Sequence, residues 1–331
     1  MKKTKIADLS VYHPERIVPN SELEMRLNAG KKVLPEGSLE RLFGLRERRF
    51  AAAEEQVSDL AAKAALPIVQ RTGADQIECL IFAAACSDLI EPATCNIVQH
   101  KLGLRCPAMD IKNACNSFTS ALMTAGSLIA SGMYQNVLVV NGEKLSDAIR
   151  YDIKTEAQLR RHLAAYSLGD AGAAALVTAS DDDSGFVFQR FMTRGEHWEL
   201  CTIKGGGSMY PHDMDQNYFE GQTDTLKTVL AEEANAFLRA CLQEAGWNVR
   251  DIQHVFTHQV SSGTFRLIAN MTGLNPDACE QVFTNFGNTA AASIPLAIHQ
   301  RLQRGELQKG DKVVLLGLAA GVSVSVQLMI W

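Results

Sequence analysis

Apolar and polar positions along this chain fall in short blocks that switch between the period of a strand and the period of a helix. Ile6-Ala-Asp-Leu-Ser-Val-Tyr12 reads as a strand ending at His13-Pro14, and residues 56–72 read as an amphipathic helix. Glu78-Cys-Leu-Ile-Phe-Ala-Ala-Ala85 is a strand, followed by a helix from Pro92 to Leu102 that stops at Gly103. Ala108–Ala114 predicts a short buried strand, and residues 117–131 a helix of small and apolar residues. Asn136–Gly142 and Leu168–Val177 are further strands, with a polar insert over 152–165 that predicts a helix or lid.

Asp181-Asp-Asp-Ser-Gly185 is the clearest boundary, dividing the chain into halves at 1–180 and 186–331. After strand-like runs and loops over 186–220, the second half repeats the first. A long helix covers 223–245, Gln253–His258 is a strand, and a helix from Gly263 to Thr272 closes at Gly273-Leu274, as the earlier one closes at Gly103-Leu104. Gln281–Gly287 is strand-like, a second small-residue helix starts at Asn288, and Lys312–Gly317 is the closing strand. Alternating strands and helices imply mostly parallel sheets, and the internal repeat implies a pseudo-twofold axis. That axis pairs the helix start at Asn288 with the one at Cys115 and brings His258 to the same central site.

Composition narrows the function classes. The 331 residues are 47% hydrophobic and 21% charged, with a formal net charge of −5, which argues against a nucleic-acid binder. No apolar run approaches a membrane span, and the basic start Met1-Lys-Lys-Thr-Lys lacks an apolar segment behind it, so a cytoplasmic location is expected. The eight cysteines include no CxxC pair, so they are expected to be reduced and mostly buried. No phosphate-cradling glycine motif occurs, and Gly205-Gly-Gly207 is expected to be a flexible loop. His254 and His258 lie on one strand, where i and i+4 are ~13 Å apart, too far to share an ion. No metal or cofactor is expected. The cluster Arg46-Glu-Arg-Arg49 reads either as a solvated face or as an anion site for a phosphate-bearing substrate. Glu143 and Asp170 are expected to stabilise loops and sheet ends.

The stretch Met109-Asp-Ile-Lys-Asn-Ala-Cys115-Asn-Ser-Phe118 places Cys115 where a strand turns into a helix. Unpaired N–H groups and the dipole at a helix start favour a thiolate there. A small buried core residue is the other reading of a free cysteine.

Together with Gly169-Asp-Ala-Gly172, His258-Gln259 and Gly287-Asn288-Thr-Ala-Ala-Ala-Ser293-Ile-Pro295, this stretch resembles the thiolase-fold condensing enzymes, most closely the beta-ketoacyl-ACP synthase III branch. The resemblance covers nearly the whole chain. It implies an αβαβα sandwich of two five-stranded sheets, a homodimer, and acyl thioesters of coenzyme A or acyl carrier protein as substrates, in fatty acid or polyketide biosynthesis. Cys115 then takes up the acyl group, with its own N–H in an oxyanion hole, while His258 and Asn288 hold the enolate of the second thioester. The implied reaction is a Claisen condensation giving a β-ketoacyl product. Thioester exchange needs a sulfur nucleophile, and carbon–carbon bond formation a stabilised α-carbanion. Acyl transfer from Cys115 to an alcohol or amine, or a non-catalytic subunit of a homologous synthase, are the alternatives. Phe118, Ser261, Gly317 and Gly321 are candidate substrate contacts, Phe118 having core packing as its other reading.

The chain departs from the family pattern at four places. Its C-terminal loop is Gly317-Leu-Ala-Ala-Gly321 instead of a glycine run, and Val260-Ser261 follow His258-Gln259. Ser38 and Leu39 stand where an aromatic residue would stack on the adenine of coenzyme A. Leu89-Ile-Glu91-Pro92 stands where fatty-acid starters carry an aromatic before the proline, and is similar to the head-to-head condensing enzymes of bacterial olefin biosynthesis. By that likeness Glu91 enters the partner subunit's acyl pocket as a base.

Overall fold

Two sheets with the same strand order organise the computed structural model, which describes residues 3–29 and 33–331; Met1 and Lys2 of the basic start lie outside the described residues. The first half supplies β1 (Thr4–Tyr12), β2 (Arg16–Pro19), β3 (Glu47–Phe50), β4 (Cys79–Ala83), β5 (Ala108–Ile111), β6 (Asn136–Glu143) and β7 (Ala171–Ala179). Its helices are α1 (Asn20–Leu27), α2 (Ser38–Phe43), α3 (Val57–Thr72), α4 (Thr94–Lys101), α5 (Ser117–Ala130) and α6 (Glu156–His162). The second half supplies β8 (Gly185–Thr193), β9 (Cys201–Thr202), β10 (Glu220–Gly221), β11 (His254–Thr257), β12 (Lys312–Ala319) and β13 (Ser323–Ile330). With them come α7 (Thr223–Glu244), α8 (Ser262–Thr272), α9 (Phe283–Phe286) and α10 (Ser293–Gln303).

The first sheet runs β1-β7-β6-β4-β5 and the second β8-β13-β12-β11. In each, the first two pairings are antiparallel and the β6–β4 and β12–β11 pairings are parallel. The halves are therefore related as the sequence repeat implies, but the two sheets are mixed and not mostly parallel as expected, with four antiparallel pairings and three parallel ones. Strand β4 is buried along its whole length, and its alternation divides two cores. Cys79, Ile81 and Ala83 face a middle layer with α5 and α10, which the second sheet closes through Phe256, Val313 and Leu315. Leu80 and Phe82 face α3 and α4 instead, and α7 packs on the outer face of the second sheet. The result is the five-layered αβαβα sandwich.

The second sheet departs from the expected five strands. Among the described residues it has four, and a single parallel bridge from Val255 to Cys279 stands where the fifth would lie. Gln281–Gly287, read as strand-like, instead holds the one-turn helix α9. The cause is a side chain from an earlier segment: Gln259 Oε1 accepts the N–H groups of Val282 and Phe283, so these donors are not offered to a neighbouring strand.

The basic cluster is neither a solvated face nor an anion site as a whole. Arg48 lies on β3, fully buried, and donates to Asn20 Oδ1 at 2.9 Å and to the Tyr166 carbonyl at 2.8 Å. It pins the β2–β3 pair to the segment before β7, and burial lowers its pKa to about 10. The acidic boundary is an exposed turn between β7 and β8, where Asp182 pairs with Lys309 at 2.7 Å. All eight cysteines are unpaired, and Cys79, Cys95, Cys241 and Cys279 are buried.

Helix α3 lies directly on the first sheet because β6 and β7 carry glycines beneath it. A Cβ on Gly142 would stand 2.1 Å from the Val57 carbonyl oxygen, and one on Gly172 would stand 2.1 Å from that of Leu60. Gly172→Ala is expected to lower stability by roughly 1–3 kcal/mol or more, as overpacking against rigid backbone does. Gly103→Ala, which meets nothing within 4 Å and has only a left-handed φ of +66° to strain it, should cost about 1–2 kcal/mol. Urea denaturation of both variants checks the order.

Candidate active site

Cys115 lies in the turn between β5 and α5, two residues before the helix begins. Ala114 takes φ +46°, the left-handed region where a Cβ is crowded. Ser117 clamps this turn: its Oγ accepts the Asn113 N–H at 2.8 Å and donates to the Ala114 carbonyl at 2.7 Å. The counterpart in the second half is Asn288, followed by Ala290 at φ +42°. Asn288 does not begin the helix directly, because a 3₁₀ turn over Ala290–Ala292 precedes α10. Its main chain is bridged to Leu168, and its Oδ1 accepts the Ala290 N–H at 3.0 Å. The amide nitrogen is the end left to donate. His258 follows β11 directly, with Nδ1 3.2 Å from Ser293 Oγ.

These three side chains, contributed by both halves, line one cavity of about 560 Å³. Its walls are mainly apolar, with Leu42, Phe43, Leu145 and Leu163 from the first half and Leu226, Leu230 and Leu318 from the second. Charge enters through Lys112, Arg160, Asp224 and Lys227. The 152–165 insert forms α6 and the turn after it, and Arg160, Leu163 and Ala164 of this segment face the cavity.

The apolar surroundings reverse one sequence expectation. Burial pushes the Cys115 thiol well up, ahead of the Glu143 carboxylate and Cys201, which act in the same direction. The N–H groups of Cys115 and Ala320 favour the thiolate but do not outweigh this. Desolvation of a charge in a low-dielectric pocket exceeds the help of a helix start, so the resting group is a thiol. Burial also lowers His258 to about 4, with the Ala290 carbonyl pulling the other way. A neutral imidazole and a thiol therefore share the cavity at neutral pH. Glu143 is wholly buried, and burial raises its carboxyl to about 7. Asp170 accepts the N–H groups of Ala51 and Ser146 and has the expected structural role.

The remaining candidates divide. Ser261 lines the cavity, as does Val260. Phe118 does not reach it: it is fully buried in the middle core, where the apolar face of α5 must pack. Gly317 is also behind the wall, because a Cβ there would stand 2.0 Å from Asn116 Oδ1. Gly321 lies outside the lining too, and the departures from the glycine run, Leu318, Ala319 and Ala320, are the residues that face the cavity. Glu91 is exposed and does not line the cavity of its own chain, beside Leu89 and Ile90 at 51% and 83% exposure. The sequence reading missed the Ala320 N–H, since a main-chain donor leaves no signature, and the nearness of Glu143 to Cys115, which depends on β6 ending beside the β4–α4 loop. Among the described residues, no group of three His, Cys, Asp or Glu side chains is placed to hold a metal. His254 is instead paired with Asp311 at 3.1 Å.

Residues 109–195 match the family model of 3-oxoacyl-[acyl-carrier-protein (ACP)] synthase III, and residues 242–331 match that of its C-terminal part. The chain is 29% identical to the beta-ketoacyl-[acyl-carrier-protein] synthase III of Neisseria meningitidis serogroup B, with 97% of each chain covered. It is also 29% identical to that of Clostridioides difficile, covering 99% of this chain and 98% of that one. Among solved structures, it is similar to a cysteine-to-serine variant of Xanthomonas campestris OleA with bound lauric acid and lauroyl-CoA: TM-score 0.91, 26% identity, covering 100% of this chain and 99% of that one. The 3-oxoacyl-[acyl-carrier-protein] synthase III of Aquifex aeolicus matches with TM-score 0.87 and 26% identity, covering 99% of this chain and 100% of that one.

The His258 environment sets a measurable outcome. Its folded pKa of about 4 lies below the unfolded value of 6.5, so the unfolded chain binds the extra proton between these values. The stability contributed by the neutral ring is full above about 6.5 and is lost as pH falls toward 4. In a ¹⁵N-labelled sample the His258 ring is expected to stay neutral from pH 8 to about 5. A ring half-protonated at pH 6.5 would show that water reaches it freely.

Proposed function

The chain belongs to the thiolase-superfamily condensing enzymes of the 3-oxoacyl-[acyl-carrier-protein] synthase III type, and on that premise we propose that Cys115, His258 and Asn288 carry out its acyl-thioester Claisen condensation. One observation carries the assignment: the three side chains, from opposite halves of the fold, line a single apolar cavity. The activity is that of an acyltransferase.

In the first step, Cys115 Sγ attacks the acyl carbonyl of a coenzyme A or carrier-protein thioester. The carbonyl oxygen takes the negative charge, and this reading gives it to the N–H groups of Cys115 and Ala320, which lie at the Cys115 sulfur. The carbon–sulfur bond of the incoming thioester then breaks, and the thiol proton of Cys115 ends on the departing thiolate. In the second step, the α-carbon of the other thioester becomes a carbanion whose charge lies mostly on the thioester oxygen. Asn288 Nδ2 donates to that oxygen. His258 donates beside it when Ser293 O–H bonds to Nδ1, a tautomer that leaves the ring proton on Nε2. The carbanion attacks the acyl group on Cys115, the carbon–sulfur bond breaks, and the β-ketoacyl thioester leaves a free sulfur ready for reprotonation.

The second-step base is assigned to Glu91 of the partner subunit in a cytoplasmic homodimer. No helix among the described residues is long and apolar enough to cross a membrane. The loop that carries Glu91 exposes Leu89 and Ile90, a costly display in an isolated chain. The loop is also firmly based: Asp110 on the edge strand β5 accepts the N–H groups of Thr94 and Cys95 at 2.9 and 2.8 Å. Inside an apolar pocket a carboxylate loses hydration and becomes a stronger base. Such a base is needed only where the second substrate has no carboxyl group to lose, so this reading is one of non-decarboxylative condensation.

Three substitutions test these roles. Cys115→Ala should keep its fold and gain no acyl mass in intact-protein mass spectrometry after incubation with acyl thioesters; acylation of that variant would move the nucleophile elsewhere. His258→Ala and Asn288→Ala should still acylate Cys115 while condensation falls by about 10²–10³ for each donor lost; condensation at the original rate would remove them from the second step. Glu91→Gln should lose condensation of two saturated acyl thioesters and retain turnover of a malonyl thioester. Unchanged condensation of the saturated pair would return the reaction to the decarboxylative route.

A further inference from the structure

Glu143 ends β6 with no exposed surface, and the condensation scheme leaves it without a task. Its Oε1 accepts the Ala85 N–H at 2.9 Å and Asn141 Nδ2 at 3.2 Å, and its Oε2 accepts the Cys86 N–H at 3.3 Å. The Cys86 thiol also bonds to the carboxyl group. Ala85 is part of the cavity wall together with Cys115. The carboxyl group thus stands behind the wall that borders the nucleophile, screened from water. Asp170, another sheet-end carboxylate, holds a loop through Ser146 and Ala51 and does not act on Cys115 among its leading influences. Glu143 differs because its charge falls on Cys115, after burial the next largest influence holding that thiol protonated.

We infer that Glu143 is a positioning residue for Cys115: its hydrogen bonds fix the Ala85–Cys86 wall, and its charge state, acting through space, sets how readily the Cys115 thiol gives up its proton. The inference deepens the assignment of Cys115 as nucleophile and takes its catalytic meaning from it. With Glu143 ionised, a thiolate at Cys115 would be a second negative charge in a dry pocket. With Glu143 neutral, that repulsion is gone and the two main-chain donors at the sulfur act unopposed. The other ionisable groups around the pair are Cys86 from the β4–α4 loop, Asp170 just before β7, acting on Cys86, Cys201 from β9, acting on Cys115, and His258 after β11, which shares the cavity with Cys115. Lys144, next in the chain, is directed to Asp147 at 3.4 Å.

The coupling has a signature that a merely structural carboxyl would lack. Below the Glu143 pKa, Cys115 reactivity should rise tenfold per pH unit. As Glu143 ionises it should flatten, because each gain in thiolate is offset by the growing charge, and then rise again. Alkylation of the full chain by iodoacetamide, with Cys115 followed by peptide mass mapping from pH 5.5 to 9.5, reads this directly. Wild type should show the flattening just above pH 7. Glu143→Gln should give a single unbroken rise and, at pH 8, alkylation roughly fivefold faster, approaching roughly tenfold at pH 9.5, the effect of about one pKa unit. An unbroken tenfold-per-unit rise in wild type, or the same flattening in Glu143→Gln, overturns the inference. Should the glutamine variant not fold, the wild-type curve alone decides. No acyl substrate is involved. A wild-type chain that never gains acyl mass on Cys115 would therefore remove the nucleophile assignment and leave the curve standing. Normal acylation with an unbroken curve would remove only the role of Glu143.

Discussion

The site depends on a buried polar seam between the two halves: the side chain of Asn116 joins the start of α5 to β13. Its Nδ2 donates to the Ser323 carbonyl and to Ser323 Oγ, both at 3.0 Å, while Ser325 Oγ and Thr119 Oγ1 continue the seam at 3.1 Å from each other. Gln327 Nε2 extends it to the Thr119 carbonyl at 2.8 Å. These residues are all buried, and a buried polar group without a partner costs about 1–3 kcal/mol. Apolar contacts alone would let one layer slide over another with small loss, but hydrogen bonds of fixed direction do not. The seam therefore sets the register of α5, which follows Cys115, against the second half, which contributes His258 and Asn288. Gly317 makes room for it, which explains a glycine that faces Asn116 and not the cavity.

The repeat was legible in the sequence because its signals are periodic and local. Buried strands such as Cys79–Ala83, glycine stops such as Gly103 and Gly273, and small-residue runs around α5 and α10 all rest on short-range pattern. The lost fifth strand was not legible, because a single side chain, Gln259, takes the donors of Val282 and Phe283 from a separate part of the chain. Arg48 was misread for a related reason. Its neighbours Arg46 and Arg49 reach solvent or main-chain partners at the surface, and nothing in a basic run marks which member turns inward.

The candidate site shows the same division. Cys115, His258 and Asn288 are set in recognisable motifs, and the fold brings them to one cavity. Their ionisation was not readable from position alone. A helix start argues for a thiolate, yet the number of apolar side chains that converge on Cys115 is a property of the assembled layers. With only two main-chain donors at the sulfur, desolvation prevails.

A resting thiol beside a neutral imidazole suits an enzyme that must form and protect a carbanion. An imidazolium in the pocket would protonate the enolate; burial prevents this by keeping the second ring proton off His258, and the same burial holds the thiol proton on. The cost is a slower first attack, since the thiolate must be generated when the acyl thioester arrives. Part of that cost is recovered where the charge appears: the Cys115 and Ala320 N–H groups sit at the sulfur before reaction and have no reorganisation left to do. Low polarity around Cys115 thus sets both ionisation states, and the buried carboxyl of Glu143 and the Cys201 thiol both add to its hold on the Cys115 proton.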